Sequence, residues 1–382
     1  MEIKAQIVEG IKYKPILKCN LTEISIENFN VNSAKSSCLI SAAQNRFAIS
    51  RWVSPKRTRS YPYERVYNTF SVSKRITVIP IVKDEGAAGD RDFLQWDTIS
   101  LMSLLDVYVI LAFYKTAEKH RSRADKITNQ KFDNDFVKDK IEEISNYHSS
   151  ALHWNLKELK TISQVLGKAK EAYREIAART EIKFHNEKGL DNFTASVAEN
   201  LSAFMETSRL KAQSAQAREF LTVQPKEILA TQTKAKITIT NYLGGIYFFT
   251  VDEIVSEGEK LFLIESKHSQ SGKLPSVGDI KDGLLKMMLY TNLENVSIDE
   301  KSFVSLPVLH LTSENIAGEI SSNSETAKLE QFFRVNNFNQ RQRELMQSLF
   351  VEAKENNFTI SLGKFRNDSE SFTLSGRKKS GG

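Results

Sequence analysis

Apolar and polar residues follow two different periods along this chain, and the change of period divides it into segments. Continuous apolar runs of strand length occur at residues 76–82, 107–114 and 261–264. Runs of this kind are typical of strands that are covered on both faces. Between the second and the third run, apolar residues return every three or four positions, which predicts a mainly helical region over residues 116–225. The whole pattern predicts a mixed α/β chain.

The order of strands and helices adds a domain division to this picture. Near the N-terminus, the strand at 76–82, a helix at 98–105 and the strand at 107–114 form a βαβ-like unit, which predicts parallel strands. We expect an N-terminal α/β portion at 1–115, the mainly helical region at 116–225, a second α/β portion at 226–365, and a polar tail at 366–382.

The segment 245–268, GIYFFTVDEIVSEGEKLFLIESKH, has the most chemical content. It predicts two strands joined by a tight turn, and the apolar run of the second strand ends in Glu265, Ser266 and Lys267. The period of two in a strand puts Glu265 and Lys267 on one face. Charge at the end of a buried strand is costly. Folding about the turn brings Asp252, at the end of the first apolar run, close to Glu265.

Two carboxylates and a lysine in one small pocket suit a specific chemistry. Asp252 and Glu265 can hold Mg²⁺, which prefers oxygen ligands, and the carbonyl of Ser266 can add another oxygen. The metal polarises a phosphodiester and activates a water molecule. Lys267 can orient that water or stabilise the charge that develops on the phosphate. An ordinary surface hairpin with a weak Glu–Lys ion pair is the alternative interpretation of the same residues.

At these residues the chain resembles the PD-(D/E)XK nuclease superfamily, and within it most of all a type II restriction endonuclease. Asp252 stands at the position of the motif's aspartate, and the residues from Glu265 to Lys267 stand at its E-x-K. The proline that usually precedes the aspartate is replaced by Val251. The resemblance implies that Asp252, Glu265 and Lys267 are catalytic, and that Asp252, Glu265 and Ser266 hold the metal.

The elements after the motif extend the resemblance. A helix is predicted at 279–290 and an apolar strand at 303–311, so the order strand, strand, helix, strand of the nuclease core runs through residues 240–312. The resemblance implies a mixed α+β fold with a restriction-endonuclease-like core within 226–365, a large helical insertion and an N-terminal α/β portion.

Helices on both sides of the hairpin carry candidates that support this site. In PD-(D/E)XK proteins a helix before the core hairpin often donates one more acid, which points to Glu199 in preference to Glu206 on the same helix face. The helix after the motif carries Lys281 and Lys286, which we expect near the scissile strand. A solvated helix face is the alternative for all four side chains.

The segment 51–75 is basic and aromatic. It contains seven Lys and Arg residues against a single acid, with five aromatic residues between them. Basic side chains attract phosphates regardless of sequence, and aromatic rings stack on bases. The alternative is a solvated basic loop that its aromatic residues anchor to the core. We expect base readout in the major groove from this segment. The candidates are Arg51, Lys56, Arg57, Arg59 and Arg65.

A second group of carboxylates, in the segment 84–97, competes for the metal site. These acids lie at the ends of a predicted strand and helix, but no E-x-K follows an apolar strand there. Fixing arginines or capping the helix is the alternative role for them. The members are Asp84, Glu85, Asp90, Asp92 and Asp97.

Composition narrows the possible classes. The chain has 382 residues, of which 40% are hydrophobic and 26% charged, as in a soluble globular protein of two or three domains. Its net charge of +6 is compatible with a polyanionic partner. Two cysteines are too few for a disulfide framework or a zinc cluster, which predicts a reducing cytoplasm. The N-terminus lacks the apolar core of a secretory signal, and no stretch reaches the roughly 20 apolar residues of a membrane helix.

Taken with the resemblance, these features imply a Mg²⁺-dependent, site-specific endonuclease of double-stranded DNA in a prokaryotic cytoplasm. Its products would carry a 5′-phosphate and a 3′-hydroxyl. A palindromic target would imply a homodimer, because two-fold symmetry in the site mirrors two-fold symmetry in the protein. Two alternatives remain: a repair or phage-defence nuclease of the same fold that cuts without sequence preference, and a catalytically inactive DNA-binding module.

Overall fold

The computed structural model describes residues 2–18, 20–42, 45–55, 72–199, 204–206, 208, 210 and 235–364. The strands in chain order are β1 (Glu2–Ile7), β2 (Glu23–Ser25), β3 (Ser37–Ala42), β4 (Asn45–Arg51), β5 (Lys74–Pro80), β6 (Val82–Asp84), β7 (Arg91–Phe93), β8 (Val107–Ala112), β9 (Tyr114–Lys119), β10 (Ile127–Phe132), β11 (Ala235–Asn241), β12 (Ile246–Val251), β13 (Glu253–Glu257), β14 (Lys260–Ser269), β15 (Glu294–Ile298), β16 (Lys301–Ser313), β17 (Glu319–Ser321) and β18 (Thr359–Lys364). The helices in chain order are α1 (Trp96–Leu104), α2 (Asn134–Ser145), α3 (Ala151–Lys160), α4 (Ile162–Thr180), α5 (Lys188–Glu199), α6 (Val277–Tyr290), α7 (Thr326–Val335) and α8 (Gln340–Glu355).

The N-terminal half is built on a five-stranded sheet with the order β2-β3-β4-β5-β8. β4 pairs with β5 and β5 with β8, both in parallel, and α1 lies in the crossover between β5 and β8. All six residues of β8 are buried, as expected for a strand covered on both faces. The predicted βαβ unit with parallel strands is therefore confirmed.

The mainly helical region begins with a ribbon that the hydrophobic pattern did not predict. β9 and β10 pair antiparallel, and helix α4 packs against β9. Along β9 and β10 the buried residues are Tyr114, Ala117, Ile127 and Phe132, and the positions between them are mostly exposed. So few apolar residues give no alternation that identifies a strand from sequence.

The C-terminal half consists of two sheets that share the 13-residue strand β16. The first sheet runs β12-β11-β1-β15-β16, and the second runs β13-β14-β16-β18-β17. β1 pairs in parallel with β11, so residues 2–7 belong to this half of the molecule. β12 and β13 are consecutive, and only Asp252 separates them. The chain therefore passes from one sheet to the other at Asp252.

Helix α6 covers the second sheet and completes the core around the candidate site. It follows β14 and precedes β16, and those two strands pair in parallel. Its apolar side, which includes Ile280, Leu284 and Met287, is fully buried. The helix predicted at 279–290 and the strand predicted at 303–311 are confirmed to within two residues at each end. The mixed α+β class is confirmed as well.

Candidate active site

Strand register brings the two predicted acids together. β13 and β14 pair antiparallel with Glu253 opposite Ile264, so one step further along the same register places Asp252 opposite Glu265. Residues directly opposite one another share a face of the sheet, with Cβ atoms about 4.5–5.5 Å apart. The Ser266 N–H donates a hydrogen bond of 2.9 Å to Asp252 Oδ2. This bond fixes the first acid against the strand that carries the second.

Glu265 is the centre of a buried network of charges. It is 1% exposed, and each of its carboxylate oxygens meets an ammonium group. Oε1 lies 2.9 Å from Lys267 Nζ, and Oε2 lies 2.6 Å from Lys286 Nζ. Lys267 Nζ also lies 2.7 Å from Asp282 Oδ2, and Lys286 Nζ donates to the Thr250 carbonyl at 3.1 Å. The two lysines therefore tie the E-x-K strand both to helix α6 and to β12.

Helix α6 supplies two of these groups from a single face. Asp282 and Lys286 are four residues apart, a spacing that places side chains next to one another on a helix. Between them lies Gly283, where an added Cβ would come within 2.5 Å of Leu309 Cδ1 and 3.5 Å of Lys267 Cε. The absence of a side chain at Gly283 therefore allows the helix to approach the sheet closely enough for this contact.

The electrostatic environment differs between the two acids. Burial, reinforced by the neighbouring Glu265 carboxylate, raises the pKa of Asp252 to about 6. Burial also opposes ionisation of Glu265, but Lys286 and Lys267 together outweigh it and lower the pKa of that carboxyl. Burial opposes the charged form of Lys267 and Lys286, but the attraction to Glu265, joined by Asp282 for Lys267 and by Tyr290 and Asp252 for Lys286, outweighs it and raises both pKa values. Both lysines are therefore cationic at neutral pH.

The chemistry of this donor set fits a hard divalent cation. Three carboxylates and two ammonium groups leave the cluster with one formal negative charge. Asp252 is the carboxylate with a raised pKa, so its charged form is the one that a bound cation would stabilise most. Within the described part of the chain, no group of three or more His, Cys, Asp or Glu side chains is arranged to hold a metal. A metal here would rest on Asp252, Glu265 and the Ser266 carbonyl.

Not all predicted supporting residues have a described environment. The side chain of Glu199, at the end of α5, lies outside the described residues, and Glu206 is exposed. Lys281 lies half-buried on α6. Arg51, at the end of β4, donates to the carbonyl of Val31. Four basic candidates lie outside the described residues: Lys56, Arg57, Arg59 and Arg65.

The acids of the segment 84–97 do not come together as those of the hairpin do. Asp84 is 6% exposed and accepts from His185 Nδ1 at 2.9 Å. Glu85 forms ion pairs of 2.8 Å with Lys83 and 2.7 Å with Lys126. These are the contacts of acids that hold neighbouring segments together.

The two later acids of that segment join it to other elements. Asp92 Oδ2 accepts from Ser54 Oγ at 3.0 Å. Asp97, in the first turn of α1, accepts from the N–H of Ile246 at 3.3 Å. Asp97 therefore helps to seat the start of β12, the strand that leads to Asp252.

The sequence did not predict that Asp282 and Lys286 belong to the buried charge network. Asp282 was not singled out, and Lys286 was expected near DNA, whereas its side chain is directed inward at Glu265. A helix face that carries an acid and a base at i and i+4 usually faces solvent. The only local signal was Gly283 between them, because a glycine within a helix often marks a close approach.

Comparison with known proteins yields no match: no family model, curated protein or solved structure is similar to this chain. In the described residues, no helix has both the length and the apolar character needed to cross a membrane.

Proposed function

We propose that this protein is a Mg²⁺-dependent endonuclease that hydrolyses phosphodiester bonds of double-stranded DNA, with Asp252, Glu265 and Lys267 as its catalytic residues. The observation that carries the proposal is the meeting of these three side chains at one point. Asp252 lies opposite Glu265 and accepts from the Ser266 N–H, while Lys267 contacts Glu265 at 2.9 Å.

The order and direction of the elements support the same proposal. The strand with Asp252 at its end leads into an antiparallel partner that carries Glu265 and Lys267. Helix α6 then crosses to β16, which is parallel to β14. This succession resembles the core of PD-(D/E)XK nucleases, in which the acids and the lysine come from these same positions.

Each residue has a role that follows from its surroundings. Asp252, Glu265 and the Ser266 carbonyl would hold the metal, which supplies a Lewis acid for the phosphodiester and lowers the pKa of a water molecule. Lys267 stays protonated, so it acts as a cation that orients water or stabilises phosphate charge, and not as a proton acceptor. Asp282 holds the Lys267 ammonium in place at 2.7 Å.

The finer proposal is that cleavage is site-specific, as in a type II restriction endonuclease. It rests on the resemblance and on the large portion of the chain that lies outside the nuclease-like core. We propose that the basic segment 51–75 contacts the bases and so recognises the DNA sequence. A nuclease of the same fold without sequence preference would differ in one observable: the pattern of fragments.

The test is digestion of long duplex DNA of mixed sequence, with Mg²⁺ and with a chelator. Glu265→Gln and Lys267→Ala should abolish cleavage. Matched controls come from the exposed far end of the same hairpin: Glu257→Gln and Lys260→Ala should cut like the natural protein. Discrete fragments support site-specific cleavage, and a smear supports the nuclease without sequence preference. Cleavage that survives Lys267→Ala would refute the assigned site.

A further inference from the structure

The ribbon β9–β10 ends in an exposed basic tip. Lys119, Arg121 and Arg123 are exposed, and within the described residues none of them forms an ion pair. Two other lysines of the ribbon are paired, one near each end. Lys115 pairs with Asp133 at 2.8 Å and Lys126 with Glu85 at 2.7 Å. Among the described residues, three of the four ribbon cations without an ion pair therefore lie at the tip, and the fourth is Lys131.

The loop end of the ribbon, at residues 125–127, is held by the glycine-rich turn at 85–89. The Ala88 N–H donates to the Asp125 carbonyl at 3.0 Å, and the Ile127 N–H donates to the Glu85 carbonyl at 2.9 Å. Gly86 has a φ of +94°, and a Cβ there would meet the Asp125 carbonyl oxygen at 2.4 Å. Only glycine allows this approach. One side of the tip is therefore held against the rest of the protein.

The tip itself is organised by the ring of His120. Its Nδ1 accepts hydrogen bonds of 3.2 Å from the N–H groups of Ser122 and Arg123. The His120 N–H donates to the Lys126 carbonyl at 2.9 Å and closes the loop. Backbone groups of the turn are thereby satisfied within the tip. The side chains of Arg121 and Arg123 are left to solvent on an ordered turn.

We propose that this basic tip, formed by residues 119–123, binds the phosphate backbone of duplex DNA. Arginine and lysine recognise phosphates through charge and hydrogen bonds, independently of base sequence. The choice of duplex DNA as the partner rests on the proposed function, but DNA binding by the tip requires neither the metal nor cleavage.

The test measures DNA binding in the presence of a chelator, by fluorescence anisotropy of a labelled duplex of mixed sequence over a series of salt concentrations. The triple variant Lys119→Ala, Arg121→Ala, Arg123→Ala should bind about tenfold or more weakly. The slope of log K against log salt should fall by about 0.9 for each lost phosphate contact, and so by about 2 to 3. The matched control is Lys328→Ala, Arg334→Ala, Arg341→Ala, which removes the same charges from exposed positions on α7 and α8.

A second pair of variants tests the organised turn without changing the three cations. His120→Ala removes the acceptor for Ser122 and Arg123, so affinity should fall several-fold. His120→Asn keeps a side-chain acceptor that suits turns, and it should restore most of the loss. Equal affinities for the natural protein and the triple variant, with equal salt slopes, would overturn the proposal. So would a loss seen only with duplex RNA or with anionic vesicles.

These outcomes separate the tip from the active site. Glu257→Gln should bind DNA like the natural protein in chelator, because this exposed residue lies on a different element from the tip. Tip-dependent binding without any cleavage would retain the tip and reject the nuclease. If cleavage is lost in Glu265→Gln but the triple variant binds DNA as well as the natural protein, the nuclease is retained and the tip is rejected.

Discussion

Two acid-rich regions of this molecule look alike in sequence and differ in structure. In the segment 84–97, Glu85 has lysines of its own, and Asp84 is matched to His185. At the hairpin, Asp252 lies opposite Glu265, so two like charges share one face of a sheet. The first arrangement joins segments of the fold. The second places like charges together, and arrangements of that kind are concentrated at functional sites. The two regions differ in whether their carboxylates meet at one point, and not in how many carboxylates they contain.

The largest effect on this contrast should come from removing a buried cation. Lys286→Met leaves Glu265 buried with only Lys267 beside it, and breaking a buried pair on one side costs about 3–5 kcal/mol. Lys126→Met removes a comparable lysine from Glu85, which keeps Lys83, and should cost about 1 kcal/mol or less. Urea unfolding of both variants measures the difference. Equal losses would mean that Glu265 is no more dependent on its cations than Glu85 is.

The next prediction is that Asp252 and Glu85 contribute to stability with opposite pH dependences. The folded-state pKa of Asp252, about 6, lies above its ordinary value, so its contribution to stability is present below about pH 4 and is lost as the pH rises to about 6. In metal-free protein, Asp252→Asn should therefore gain stability relative to the natural chain over that range, by up to about 2–3 kcal/mol.

Glu85 provides the control of opposite sign. Burial raises the pKa of that carboxyl, but Lys126 and Lys83 outweigh it and lower the pKa. Its contribution is therefore present above the unfolded pKa and is lost as the pH falls through the folded one. Glu85→Gln should lose stability relative to the natural chain as the pH rises. Urea midpoints across the acidic range check both, and slopes of one sign would contradict the assignment.

A smaller effect should come from Asp282, which holds the proposed catalytic lysine Lys267 in place. Asp282→Asn removes the charge that holds Lys267 at 2.7 Å, and loss of an orienting partner of this kind typically costs about 10–100-fold in activity. Glu85→Gln weakens the hold on Lys126 in the same way and should leave cleavage unchanged. The measurement is the rate of Mg²⁺-dependent plasmid cleavage under saturating conditions. A loss in Glu85→Gln as large as that in Asp282→Asn would end the functional distinction between the regions.

The comparison also shows which parts of the fold and of the site can be predicted from the sequence. The hairpin was predictable because apolar runs, a turn and a period of two suffice to place Asp252 beside Glu265. The helix and the strand after it were predictable from their periodicity. Lys286 was not, because a charged side chain on a helix gives no sign of which way it faces when a helix–sheet contact decides the matter. The ribbon β9–β10 was missed for a related reason: its few buried residues do not alternate regularly.

The smallest effect concerns the glycine that sets the distance between α6 and the sheet. At Gly283 an added methyl group meets Leu309 Cδ1 at 2.5 Å, and overpacking of a core costs about 1–3 kcal/mol. Alanine gains up to about 1 kcal/mol in a helix interior, so Gly283→Ala should lose about 2 kcal/mol or less. Gly278→Ala in the first turn of α6 meets nothing closer than 3.7 Å and should be neutral or stabilising. If Gly283→Ala cleaves DNA normally despite that loss, the close approach of α6 to the sheet serves packing alone. The Cε of Lys267 lies 3.5 Å from the added carbon. If the cleavage activity falls further than the loss of stability explains, the close approach therefore also sets the position of Lys267.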